Sequence, residues 1–252
     1  MNRGLCMKKS ICIEAVTPGE DNARKLHALK GIGCSAFEFW GWWNKDLPEL
    51  KRAMDETGLT CAAMCTRMVS LTIPEKRNEY IQGLKDSIAI AKDFNCRTLI
   101  SQAGNDTGDA REAQHASITG GLRECAAILE EADVTLVLEP LNTKIDHKGY
   151  YLWSSAEGFD IAREVNSPNV RLLYDIYHQQ IMEGNILNTI SANLDLIGHM
   201  HAANLPGRGE LGRGELDYRF IFDMLDKYGY TGYVGFEYFN ADNPLESIKK
   251  FL

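Results

Sequence analysis

No window of the chain approaches eighteen consecutive apolar residues, so nothing in its 252 residues reads as a membrane span. The opening MNRGLCMKKSICIEAV has basic residues but no long apolar stretch followed by a small-residue cleavage site. The expectation is therefore a cytoplasmic protein without a signal peptide. Cysteine is missing from the second half altogether. The seven present (Cys6, Cys12, Cys34, Cys61, Cys65, Cys96 and Cys125) are odd in number and lack the spacing of secreted scaffolds, which favours free buried thiols in a reducing compartment. Cys61 and Cys65, on one strand face of TCAAMCTR, read as small core residues. Positive charge is scarce too: 27 Lys and Arg against 35 Asp and Glu give a net charge of -8, and no basic cluster offsets it. That balance disfavours a nucleic-acid partner.

Linkers, low-complexity segments and repeats are also absent, so residues 1–252 are expected to form one domain. With 44% hydrophobic and 25% charged residues, the chain can bury a substantial core. Eight β-like runs follow one another: SICIEAV (10–16), AFEFW (36–40), TCAAMCTR (60–67), RTLISQA (97–103), VTLVLEP (134–140), VRLLYDI (170–176), IGHMHAA (197–203) and YVGFEYF (233–239). Helical signals fall between them. PELKRAMDETG carries Pro48 early and Gly58 at its end, SSAEGFDIAREV opens on a serine cap, and DYRFIFDMLDKYGY is expected to set Phe220, Met224 and Leu225 on one face. Strand and helix alternating eight times in this length predict a (β/α)8 TIM barrel. A doubly wound sheet is the competitor, but AVTPGEDNARK after the first strand has no G-x-G-x-x-G loop.

Residues at the carboxyl ends of barrel strands face the active-site mouth. Here the last four runs carry Glu139, Asp175, His201 and Glu237 in apolar surroundings. Taken singly, each has an ordinary explanation: a solvated strand end, a helix cap for Asp175, a hydrogen-bonded filler for His201. Four on consecutive strands argue differently, because buried carboxylates need a compensating charge. One divalent cation supplies it, and imidazole with carboxylates suits Mn, Mg or Co. His199 shares a strand face with His201, so a second histidine ligand is open, though His201 is nearer the strand's carboxyl end and His199 reads as a layer residue or supporting donor. His178, three residues past Asp175, is placed to reach a substrate oxygen. Arg208, in the glycine-rich NLPGRGELGRGELDY, suits a carboxylate or hydroxyl group, with a solvated loop residue as the alternative. Trp40, Trp42 and Trp43 in EFWGWW either wall a pocket or pack.

LVLEPLN, VRLLYDIYHQQIMEGN, HMHAANLPGRGELGRGELDY and GYVGFEYF resemble segments of the hydroxypyruvate isomerase family, within the xylose isomerase-like TIM-barrel superfamily of sugar isomerases and epimerases. The resemblance implies that Glu139, Asp175, His201 and Glu237 ligate the metal. It also makes Glu139 and Glu237 the acid/base pair, gives His178 the task of orienting a substrate oxygen, and brings Arg208 to the substrate's polar end. His201 stands where hydroxypyruvate isomerases tend to carry Gln and ketose 3-epimerases carry His. The implied activity is metal-dependent isomerisation of a small hydroxy-carbonyl compound, foremost hydroxypyruvate to tartronate semialdehyde. A ketose 3-epimerase or other sugar isomerase is the near rival; an abasic-site endonuclease and a non-catalytic sugar-binding protein are the distant ones. The expected partner is a small molecule, neither nucleic acid nor membrane. Barrels of this group often pair through exposed helices, so a homo-oligomer is an open expectation with no stretch marking an interface.

Overall fold

Strands of an all-parallel sheet are covered on both faces and so read as nearly unbroken apolar runs, as TLVLE and VRLLYD do. The computed structural model describes residues 7–17, 19, 21–239 and 241–252. Its eight parallel strands close into a barrel in the order β1 to β8, with helices between them: the expected (β/α)8 fold. The strands are β1 (Lys8–Cys12), β2 (Ala36–Phe39), β3 (Thr60–Cys65), β4 (Thr98–Gln102), β5 (Thr135–Glu139), β6 (Val170–Asp175), β7 (Ile197–Ala202) and β8 (Tyr233–Phe236). The helices are α1 (Asn22–Gly31), α2 (Leu47–Thr57), α3 (Arg77–Asp93), α4 (Arg111–Ala132), α5 (Ser155–Val165), α6 (Ile176–Met182), α7 (Ile186–Ala192), α8 (Tyr218–Tyr228) and α9 (Pro244–Lys249).

The chain divides into two compact units. Residues 64–199 make one. There β4 aligns Leu99 with Leu136 and Gln102 with Glu139, and β5 aligns Leu136 with Val170. Leu99, Leu136, Leu172 and Leu173 are fully buried. The other unit joins the chain before Met64 to the chain from Met200 on. In it β1 pairs with β2 and β8, setting Cys12 beside Glu38 and Ser10 beside Gly235, while β7 sets His201 beside Gly235.

Capping residues stop and start the helices where the sequence signals lie. Asp46 accepts the Glu49 N–H at the start of α2, Ser154 accepts the Glu157 N–H at α5, and Asp217 accepts from Arg219 and Phe220 at α8. Gly58 and Gly229 end α2 and α8 in the left-handed region, at φ 64° and 80°, which glycine enters without a Cβ clash.

Three expectations need correction. The inner face of α8 is Tyr218, Ile221, Phe222 and Leu225, with Phe220 52% exposed. A helix repeats every 3.6 residues, so Phe220 lies nearly opposite Tyr218 and cannot share its stripe with Leu225. Residues 13–16 are a turn rather than strand, because the Val16 N–H bonds back to the Cys12 carbonyl and the Thr17 hydroxyl to that of Ile13. β8 stops at Phe236, leaving Glu237 just beyond the strand. The six cysteines among the described residues are buried; Cys6 lies outside those residues. No helix of the described residues is long and apolar enough to cross a membrane.

Candidate active site

Within 64–199 two strands end in buried carboxylates. Glu139 is the last residue of β5 and Asp175 the last of β6. Asp175 is the helix cap that the sequence allowed. Its Oδ1 caps α6, accepting the Tyr177 N–H at 2.8 Å and the His178 N–H at 3.1 Å, while its Oδ2 lies 3.4 Å from His178 Nε2. The cap thus consumes one oxygen and fixes the direction of the other. His178 belongs to the first turn of α6 rather than to an open turn, and it is fully buried. Its Nδ1 meets Asn142, a buried residue with no expected role, at 2.7 Å from Nδ2 and 3.3 Å from the backbone N.

The other unit builds its cluster around His201. Nε2 of this imidazole lies 3.0 Å from Glu38 Oε1, and Nδ1 lies 3.0 Å from Glu237 Oε2. Glu38, on β2, has no place among the expected residues, yet it is 2% exposed and accepts the Ser10 hydroxyl at 3.0 Å. The room for it comes from Gly235, where a Cβ would overlap the Glu38 carboxylate. In sequence Glu38 is only an acid inside AFEFW, and the single available signal was its burial in an apolar run. His199, two residues before His201 on β7, is buried as expected of a layer residue.

Glu237 gathers three donors. The Trp40 indole N–H reaches Oε1 at 2.6 Å, and Oε2 receives the Arg208 guanidinium and faces His201. Burial opposes ionisation, but the charges of Arg208 and His201 and the hydrogen bonds from His201 and Trp40 outweigh it and hold Glu237 well below the usual carboxylate range. Arg208 is presented by a backbone in the left-handed region, at φ 53°, and lies over the Phe239 ring. It is therefore no solvated loop residue. Trp40 serves the site, whereas Trp42 and Trp43 pack edge to face on each other, 5.8 Å between centroids. Burial, then the charges of Glu237, Glu14 and Glu38, push the Cys12 thiol well above its ordinary value, which leaves it inert as a nucleophile.

Glu139, Asp175, His201 and Glu237 are buried acidic and imidazole groups of the kind that could hold a metal ion. The spacing inside the His201 cluster fits that role. Two ligand atoms, each about 2.1 Å from an octahedral ion and at right angles to one another, are about 3 Å apart, which matches the His201 Nδ1 to Glu237 Oε2 separation of 3.0 Å. Oxygen-rich donors with one imidazole suit a hard or borderline divalent ion.

Residues 26–252 match the family model described as xylose isomerase-like TIM barrel. A human protein named putative hydroxypyruvate isomerase is 31% identical over 237 residues, covering 87% of this chain and 86% of that one. Hydroxypyruvate isomerase of Escherichia coli K12 is 32% identical over 194 residues, 77% of this chain and 70% of the other. Among solved structures, that of a protein named AP endonuclease, family 2, from Brucella melitensis superposes with a TM-score of 0.91 at 25% identity, covering 97% of this chain and 98% of its own. The match to the family spans nearly the whole barrel and includes every strand end described above except that of β1: this chain belongs to the xylose isomerase-like TIM-barrel family.

Proposed function

We propose that the protein is a divalent-metal-dependent isomerase of a small hydroxy-carbonyl compound, and that its substrate is hydroxypyruvate, converted to tartronate semialdehyde. The observation that carries this reading is the set of buried strand-end residues Glu139, Asp175, His201 and Glu237, three carboxylates and one imidazole. Relatives named putative hydroxypyruvate isomerase, at 31% identity, and hydroxypyruvate isomerase, at 32%, support the choice of substrate.

These four residues would hold a divalent ion, which would supply positive charge beside the substrate's oxygens and lower the cost of ionising the adjoining C–H bond. The remaining work falls to the chain's own groups. One of the two glutamates takes a proton from C3 of hydroxypyruvate and the C2 carbonyl becomes an enediolate oxygen; the hydroxyl proton then passes from the C3 oxygen to the C2 oxygen as a proton is returned to C2, leaving an aldehyde at C3 and a hydroxyl at C2. The reverse reaction exchanges the roles of Glu139 and Glu237. The Arg208 guanidinium and its other neighbours hold the Glu237 carboxyl well below the usual range, favouring its ionised form, and Arg208, paired with Glu237, would share its charge with the substrate's carboxylate. His178 donates to the oxygen on which charge develops, a contact that strengthens in the transition state.

The name of the Brucella melitensis protein raises phosphodiester cleavage as a second reading. The net charge of -8 opposes it, since a DNA backbone would have to approach an acidic surface. NMR of the protein with Mn²⁺ or Mg²⁺ in deuterated water, with hydroxypyruvate and with a panel of ketoses, tests the proposal. Conversion of hydroxypyruvate with deuterium at the transferred position is expected. Deuterium at C3 of a ketose with an epimeric product would move the assignment to a 3-epimerase, and no exchange with any substrate would sink the isomerase reading.

A further inference from the structure

We infer that Asn142 is a positioning residue that locks the His178 imidazole with its proton on Nε2, turning that ring into a fixed hydrogen-bond donor. Its assignment to substrate rests on the isomerase reading above; the tautomer itself does not.

The orientation of the Asn142 amide is settled by its surroundings. Oδ1 accepts two backbone N–H groups, those of Ile145 and Asp146, each at 3.1 Å. Only an oxygen can do this, so the other end of the amide is the NH₂ group. That group donates to Asp146 Oδ2 at 2.7 Å and to His178 Nδ1 at 2.7 Å. The backbone N–H of Asn142 points at the same Nδ1 from 3.3 Å. Two donors converging on one ring nitrogen require it to be the bare, accepting nitrogen. In the neutral ring the proton is then on Nε2, the nitrogen that faces Asp175 Oδ2 at 3.4 Å.

The arrangement is braced on every side. Asp146, which takes one Asn142 hydrogen bond, also accepts the Tyr177 hydroxyl at 2.9 Å. The Asn142 carbonyl accepts the His147 N–H at 3.0 Å, and the rings of His147 and Tyr177 each lie edge-on to His178 at 5.3 Å. Asn142 and His178 are both completely buried, so water does not compete for either. The Nε2–H is turned to the Asp175 carboxylate, and for a substrate oxygen bound beside that carboxylate it would be a donor that needs little reorganisation as charge develops.

The test is the tautomer itself. Protein labelled with ¹⁵N-histidine is examined by multiple-bond ¹H–¹⁵N correlation at about pH 8, where an ordinary imidazole is neutral. The His178 signals are identified by their loss in His178→Gln. The wild type is expected to show a bare Nδ1 and a protonated Nε2. In Asn142→Asp, a carboxylate beside Nδ1 should draw the proton to that nitrogen, with kcat down roughly 10²-fold and KM changed by no more than about threefold, as for loss of one transition-state donor. Metal content by elemental analysis should match the wild type. A protonated Nδ1 in the wild type overturns the inference without any variant, so the test survives a variant that does not fold. A flipped tautomer with wild-type kcat overturns the positioning role. A bare Nδ1 in a protein that turns over none of the substrates leaves the tautomer standing and removes the isomerase reading instead.

Discussion

Glu38 Oε1 lies 3.0 Å from His201 Nε2. The contact fixes which nitrogen of His201 is turned toward Glu237; if His201 ligates the metal as proposed, Glu38 would be the outer carboxylate that orients a metal-bound imidazole. Glu38→Gln is expected to weaken Mn²⁺ binding by about 10- to 100-fold, read by titration with electron paramagnetic resonance of free Mn²⁺. Gly235→Ala should act in the same direction, because the added methyl takes the space of the Glu38 carboxylate. That variant should also lose about 1–3 kcal/mol of stability through overpacking. Unchanged affinity in both variants would strip Glu38 of this role.

Glu139→Gln and Glu237→Gln keep size and shape while removing the proton-accepting charge. Each should reduce turnover by about 10²- to 10⁴-fold, the range for loss of a general base, while the far-ultraviolet circular dichroism stays that of the wild type. Near wild-type activity from either would take that residue out of the acid/base pair.

Asp175 caps α6 and, in the proposed function, helps hold the metal; two substitutions separate these roles. Asp175→Asn retains an oxygen to cap α6 but lacks the charge; Asp175→Ala has neither. Both should lower metal occupancy by elemental analysis. Only the alanine variant should lose the cap, so it should be less stable than the asparagine variant by about 1 kcal/mol in urea unfolding. Stoichiometric metal in both would place Asp175 outside the ligand set.

His115 lies away from these residues, between Glu157 and Glu164. Burial lowers its affinity for a proton, but the hydrogen bonds to Glu157 and Glu164 prevail and raise its pKa. A raised folded pKa stabilises fully below the unfolded value of about 6.5 and is lost as pH rises through the folded value. His115→Gln should therefore lower the melting temperature more near pH 5.5 than near pH 8.5. Glu157 runs the opposite way. Burial alone would raise it, yet the Tyr151, Arg111 and His115 hydrogen bonds keep it depressed. Its contribution is present above the unfolded value of about 4.3 and fades as pH falls below it. Equal melting-temperature differences for His115→Gln at the two pH values would contradict the His115 assignment.

The eight strands, the serine cap of α5 and the helix end at Gly58 were legible in the chain, because each depends on residues a few positions apart. The same is true of Glu139, Asp175 and Glu237, whose positions at or just past strand ends follow from where the apolar runs stop. The inner face of α8 was legible only in part. Large apolar residues mark that helix as amphipathic, but their angular positions decide that Phe222 and Leu225 turn inward and Phe220 outward.

Other features belong to tertiary structure alone. Nothing local marks Glu38 as the partner of His201: β1 pairs with both β2 and β8, and the glycine at 235 leaves the gap the carboxylate fills. Asn142 likewise reads as a loop residue until the fold brings it to His178, and only its two accepted backbone N–H groups show which end of the amide meets the ring. Sequence by itself determined the barrel and the chemical type of the strand-end residues, since period and hydrophobicity are local properties. What faces each nitrogen of His178 and His201, and what depresses the Glu237 carboxyl, were decided by partners distant in the chain, whose directions exist only once it has folded.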